Sequence, residues 1–163
     1  MAVQQKAKME GYLKPVTKKS TFTSTNSFEQ KFGYYRAVRR GPFIAVSGTT
    51  ALKEKPGELS DSFVEHPGDA QKQAVLAMRR CINAVEKLGG RLEDVVRVRM
   101  FVANHDDCSA VGQAFKDVFG HNESSQDGLG EDMVGATATM IVVPGGFVDK
   151  DMLVEVEIDA YVI

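Results

Sequence analysis

At 163 residues, with a formal net charge of −2, 43% apolar and 26% charged residues, the chain suits one domain with its own core and is too short for two ordinary ones. The acidic balance argues against nucleic acid as the main partner, and the lack of an eighteen-residue apolar run argues against a membrane helix. Cys81 and Cys108 match neither a disulfide framework nor a metal-ligand spacing, so buried thiols in a reducing, cytoplasmic setting are the expectation.

Residues 1–20 hold Lys6, Lys8, Lys14, Lys18 and Lys19, with no apolar signal core and no arginine, which predicts a flexible basic tail ahead of a single domain over 21–163. Thr21 to Ser24 suits a short strand, and the polar stretch Thr25 to Glu29 a loop or turn. Tyr34 to Arg39 and Phe43 to Ser47 read as a hairpin closed by Arg40-Gly41-Pro42. Gly48 follows directly, where a missing Cβ lets another group approach closely. Lys53 to His66, with Pro56-Gly57, reads as a surface loop. From Pro67 to Leu88 the residues Ala74, Val75, Met78, Cys81, Ile82, Val85 and Leu88 recur every three or four positions, the stripe of a helix packed on one side.

Asp94 to Ala103 alternates as a strand, with Val95, Arg97, Arg99 and Phe101 on one face and Val96, Val98, Met100 and Val102 on the other. A second helix follows from about Asp107 to Phe119, capped by Asp106 or Asp107. His121 to Asp132 suits a loop, Gly135 to Val143 a strand, and Pro144-Gly145-Gly146 a turn. Leu153 to Ile163 is then a strand whose Val154, Val156, Ile158, Ala160 and Val162 face one way. Glu155, Glu157, Asp159 and Tyr161 face the other, a comb of three carboxylates. Two helices cannot cover both faces of a six-stranded sheet, so one face is left for solvent or partner subunits.

His66, His105 and His121 are scattered and lack ligand spacing, so no metal site is expected. The glycine pairs at 89–90 and 145–146 lack the strand-to-helix setting of phosphate loops, and Ser47 lacks a G-x-S-x-G frame. Arginines and carboxylates remain. Their plain role is an ion-pair network on a sheet face, each cross-strand pair contributing about 0.2–1 kcal/mol. If assembly buries the comb, desolvation and like-charge neighbours raise the pKa of at least one member, as a general acid requires.

Tyr34 to Ala51 (YYRAVRRGPFIAVSGTTA), Gln73 to Gly90 (QAVLAMRRCINAVEKLGG), Asp94 to Val102 (DVVRVRMFV) and Met152 to Ala160 (MLVEVEIDA) resemble, in this order and spacing, the Rid or YjgF-like family. The resemblance covers roughly Gly33 to the C-terminus. It implies a chorismate-mutase-like α+β fold, a six-stranded mixed sheet with two helices on one face, and a homotrimer with a small-molecule cleft at each subunit boundary. It also implies hydrolysis of reactive enamines or imines to a 2-oxo acid and ammonia, without a cofactor. A glutamate on the last strand positions water and assists proton transfer, and its place falls on Glu155. By the same resemblance Tyr34, Ser47 and Gly48 contact the substrate.

The family's carboxylate-clamping arginine falls at Ala138, and Met140 stands where a cysteine is usual. No arginine occurs between Arg99 and Ile163. Arg99, or alternatively Arg36, is the candidate replacement. The expected function is a small-metabolite site that is either deaminase-like or a noncatalytic binding or regulatory trimer. Ribonuclease activity, sometimes attached to the family, is disfavoured by the charge balance.

Overall fold

The computed structural model describes residues 18–53, 63–120 and 134–163. A six-stranded mixed sheet forms from β1 (Lys19–Phe22), β2 (Ala37–Arg40), β3 (Phe43–Thr49), β6 (Val95–Val102), β7 (Thr137–Val142) and β8 (Val154–Tyr161), in the spatial order β1-β2-β3-β8-β6-β7. Only β6 and β7 are parallel; every other neighbour pair is antiparallel. β4 (Leu52–Lys53) and β5 (Phe63–Val64) make a separate two-stranded ribbon. Helices α2 (Ala70–Lys87) and α3 (Cys108–Phe119) pack on one face of the large sheet, and a short helix, α1 (Ser27–Phe32), precedes β2.

The core is the expected one. Val154, Val156, Ile158 and Ala160 of β8 and Val98, Met100 and Val102 of β6 are buried against Ala74, Met78, Cys81 and Val85 of α2 and Val111 and Ala114 of α3. Asp69 caps α2 by accepting the Lys72 amide at 3.0 Å. Gln73, fully buried on α2, donates to the carbonyls of His66 and Asp151 and accepts the Leu153 amide at 2.9 Å. Every polar atom of that amide is thereby satisfied, and the entry of β8 is fixed to the helix.

Four expectations are corrected. Thr25 to Glu29 is not all loop, because Asn26 caps α1 by accepting the Phe28 amide at 2.8 Å, and Gly33 closes the helix in the left-handed region at φ 71°. The faces of β6 switch near its start: a register shift between Val95 and Arg97 buries Val95 in the core and leaves Val96 48% exposed. Strict alternation, which paired Val95 with the arginines, fails at that irregularity. The ends of the expected surface loop from Lys53 to His66 are strand-paired, Lys53 with Phe63 and, just before it, Leu52 with Val64. Finally β1 begins at Lys19, so Lys19 and Ser20 pair with Arg40 and Arg39 instead of belonging to the tail. Residues 1–17, 54–62 and the expected loop over 121–132 lie outside the described residues.

The second face of the sheet carries no helix. It presents Ala45 opposite Asp159, Arg99 opposite Glu157, and Phe101 opposite Glu155, with Phe43, Ile141 and Tyr161 exposed at its margins.

Candidate functional site

Where β3 meets β8 the pairing is irregular between Val46 and Thr49, and Gly48 sits in that gap. A Cβ on Gly48 would lie 1.8 Å from Glu155 Oε1 and 2.8 Å from its Cδ. The β8 carboxyl therefore rests directly on the glycine backbone, a seat that any side chain would fill. The Glu155 carboxyl faces a cavity of about 540 Å3 bounded by α1, the β3–β4 bend, α2 and Val148 and Met152 on the approach to β8. Tyr34, Arg36, Gly48 and Glu155 meet in its wall.

Burial is the main force on Glu155: loss of water raises its pKa above the ordinary carboxylate value, the Glu157 charge raises it further, and Arg36 opposes both. The Glu155 carboxyl has no hydrogen-bond partner among the described residues, so its protonation is set by field and solvation. A half-buried carboxyl of this kind holds its proton more firmly than a surface one and is suited to give it to a basic nitrogen or carbon.

Arg36 is held from three sides. Its Nε donates to Glu29 Oε1 at 2.9 Å, and Nη1 donates to the Gly48 carbonyl at 2.7 Å and to Thr49 Oγ1 at 2.8 Å. The two side chains of the ion pair are only 7% and 2% exposed. Glu29 in turn accepts the amide of Ser24 at 2.8 Å, so α1 is tied to the segment that follows β1 and to the site at once. The Tyr34 ring lies 5.9 Å from the Arg36 guanidinium carbon. On the far side Arg80 of α2 donates to the carbonyls of Thr50 and Leu52 and to Glu65 Oε1 at 2.6 Å.

Of the residues nominated by sequence, Tyr34, Gly48 and Glu155 come together, and Arg36 joins them. Ser47 points elsewhere, donating to the Tyr35 carbonyl at 2.8 Å. Arg99 lies on the open sheet face, donating to Glu157 at 2.9 Å and Asp159 at 3.2 Å. Ala138 and Met140 lie on β7, in register with Val98 and Met100 on the helix-covered side, two strands from Glu155. Glu157 and Asp159 of the comb are thus paired with arginine, and Glu155, at its N-terminal end, is not. Sequence reading missed the contribution of α1, Phe28 and Phe32 with the Glu29 anchor. The available signal was Asn26 followed three residues later by Glu29, the spacing of a capping box. Among the described residues no group of His, Cys, Asp and Glu could hold a metal ion.

A family model described as Endoribonuclease L-PSP matches residues 24–162. An uncharacterized protein of Streptomyces coelicolor is 34% identical over 138 residues, covering 85% of this chain and 88% of its own. A 2-iminobutanoate/2-iminopropanoate deaminase of Dermatophagoides farinae is 28% identical over 86 residues, 53% of this chain and 62% of its own. Among solved structures, a YjgF/YER057c/UK114 family member from Mycobacterium tuberculosis superposes with a TM-score of 0.66 at 30% identity, covering 89% of this chain and 100% of that one. With the family signature spanning nearly all of the described domain and the expected six-stranded sheet in place, the chain belongs to the YjgF/YER057c/UK114, or Rid, family.

Proposed function

We propose that this chain forms a cytoplasmic homotrimer whose intersubunit clefts bind a small reactive metabolite and hydrolyse its C=N bond. The observation that carries the reading is a carboxyl of raised pKa, Glu155, seated on Gly48 at the wall of an aromatic-lined cavity. The uncovered sheet face, bearing Phe43, Phe101, Ile141 and Tyr161 around the Arg99 cluster, supports assembly, since an apolar face of that extent is stabilised by subunit contact. The named activity of the Dermatophagoides farinae relative supports the reaction class.

In the proposed reaction the Glu155 carboxyl gives its proton to the imine nitrogen, and the iminium carbon becomes electrophilic. Water adds to that carbon while the Glu155 carboxylate takes one of its protons, giving a carbinolamine. The same proton then passes to the amine, the C–N bond breaks with its electron pair on nitrogen, and the Glu155 carboxylate takes the hydroxyl proton as the C=O bond forms, so that the carbonyl product and ammonia or an amine leave and the acid is restored. Reactants and products balance with one water consumed, and no cofactor enters. Gly48 keeps the carboxyl in place, and the Tyr34 ring walls the reacting centre.

The test is imine hydrolysis by the wild type and by Glu155→Gln, followed by the rate of carbonyl release. Loss of two to four powers of ten in the variant supports the reading, the usual contribution of a positioned acid–base group. Equal rates in the two proteins remove it. A second reading, a binding or regulatory trimer without turnover, is favoured by one observation: no arginine follows Arg99, so the last two strands supply no guanidinium to clamp a substrate carboxylate. Saturable ligand binding without any rate above the uncatalysed one decides for it.

A further inference from the structure

Taking the cavity as the ligand site, as above, we infer that its ligand is an uncharged and largely apolar compound that presents one polar C=N or C=O end to Glu155, and not an amino-acid-derived carboxylate. Two independent observations lead there. The first is the state of the cations. Among the described residues the cavity is lined by Arg36, Arg80 and Lys53, and all three face carboxylates of their own chain.

A guanidinium clamps a carboxylate through two parallel N–H groups on one edge. Arg36 has spent Nε on Glu29 and both Nη1 protons on Gly48 and Thr49, so neither of its edges is open for a bidentate pair. Arg80 is committed to two backbone carbonyls and to Glu65. Lys53 stands 4.0 Å from Glu65 with its side chain 56% exposed, a solvated point charge at the mouth. A ligand carboxylate would meet two guanidiniums already committed to other acceptors, a solvated lysine that shares Glu65 with Arg80 and, beside them, the Glu155 carboxyl, which repels it whenever ionised.

The second observation is the wall. Phe22, Phe28, Phe32, Leu52, Val148 and Met152 surround the polar end. Phe28 and Phe32 stack with ring centroids 5.9 Å apart and 5° between planes. Phe32 and Val148 stand 65% and 87% exposed at the rim, apolar surface that a soluble chain covers when a ligand is in place. A cleft of about 540 Å3 lies in the range of roughly 300–1,000 Å3 that takes drug-sized ligands, and a four-carbon imino acid leaves most of it empty. The wall is also built: α1, which carries both rings, is anchored through Asn26 and Glu29.

The experiment compares phenylacetamide, phenylacetate and propionamide by calorimetry on the full chain at neutral pH. The amide and the carboxylate share one body and differ in charge; the two amides share one head and differ in body. Phenylacetamide is expected to bind at least tenfold more tightly than either of the others. Phe28→Ala is expected to weaken it about tenfold, and Phe28→Leu, which retains apolar volume in case the alanine variant fails to fold, several-fold. Equal or tighter binding of phenylacetate, or equal binding of propionamide, overturns the inference.

A kinetic arm separates it from the hydrolytic reading. If phenylacetamide shows the expected preference and neither benzylidene-methylamine nor 2-iminobutanoate is hydrolysed above the uncatalysed rate, the ligand class stands and hydrolysis falls. If 2-iminobutanoate is the better substrate, hydrolysis stands and the ligand class falls.

Discussion

Replacing Gly48 by alanine tests the seat of Glu155 directly. The φ of Gly48 lies outside the left-handed region, so alanine meets no backbone strain there and acts through contact alone. Its Cβ would stand 1.8 Å from Oε1, 2.8 Å from Cδ and 3.3 Å from Cγ, whereas real Cβ contacts essentially never fall under 3.0 Å. The carboxyl oxygen must retreat by about 1.2 Å and take the rest of the side chain with it. An off-rotamer torsion of that kind costs about 0.5–1.5 kcal/mol. For a chain of this size that lowers Tm by roughly 2–4 °C per kcal/mol.

The effect on rate is larger, since displacing a reacting group by about 1 Å costs on the order of a hundredfold. Imine turnover and thermal unfolding are measured for Gly48→Ala, Glu155→Ala and the double variant. In the double variant the clash has no partner, so the stability cost of Gly48→Ala should vanish while activity stays at the Glu155→Ala level. A Gly48→Ala protein with wild-type rate and Tm would refute the placement of Glu155 over this glycine.

Arg36→Ala leaves the Glu29 carboxylate buried without its cation and should cost about 3–5 kcal/mol, read from the urea midpoint; Glu29→Gln in the same chain should recover part of the loss. Glu155→Gln should change the pH dependence of stability. Because the native carboxyl binds its proton more tightly than the unfolded one, its penalty is absent below the ordinary value of 4.5, grows as pH rises from there, and is complete above the raised native value. The glutamine chain should accordingly gain on the wild type in thermal melts at about pH 8 and not at about pH 4. Cys81, whose thiol is pushed up to about 12 chiefly by burial, should stay silent to thiol reagents until the chain unfolds, leaving only Cys108 to react in the native protein.

Alternation and the α2 stripe were enough to place the sheet, its helices and the carboxylate comb, because one face of every central strand is packed and burial enforces period two. What alternation does not encode is an irregularity. The shift at Val95 exchanges the faces of two valines, and neither valine differs from its neighbours in any way a pattern can register. At the candidate site, alternation showed the face of Glu155 and the missing Cβ the close approach at Gly48, while the resemblance, not a pattern, nominated Glu155 and Tyr34 for their roles. Arg36 and Arg99 look alike in sequence, each an arginine within a strand-like run. Their fates depend on tertiary partners, Glu29 from a six-residue helix for one and the β8 acids for the other. α1 itself falls in a stretch dense with serine and threonine, and it is stabilised by the buried Glu29–Arg36 pair and not by propensity.

Three acids on one strand end in different electrostatic settings, and cross-strand register decides which is available for chemistry. Opposite Asp159 stands Arg97, opposite Glu157 stands Arg99, and opposite Glu155 stands Phe101. Arg99 reaches both Glu157 and Asp159, so these two are taken up as structural partners, while Glu155 has an apolar neighbour across the strand and a cavity before it. Writing a cation into that one position should therefore abolish the distinction. In Phe101→Arg a guanidinium faces Glu155 and draws its pKa back down, so at any given pH a smaller fraction of the carboxyl holds a proton to give. Hydrolysis near neutral pH should fall at least tenfold, with the remaining activity displaced to lower pH, whereas Phe101→Leu, which removes the ring without adding charge, should keep the wild-type pH profile. Unchanged pH profiles in both variants would mean that protonation of Glu155 does not limit the reaction, and the role assigned to its burial would have to be given up.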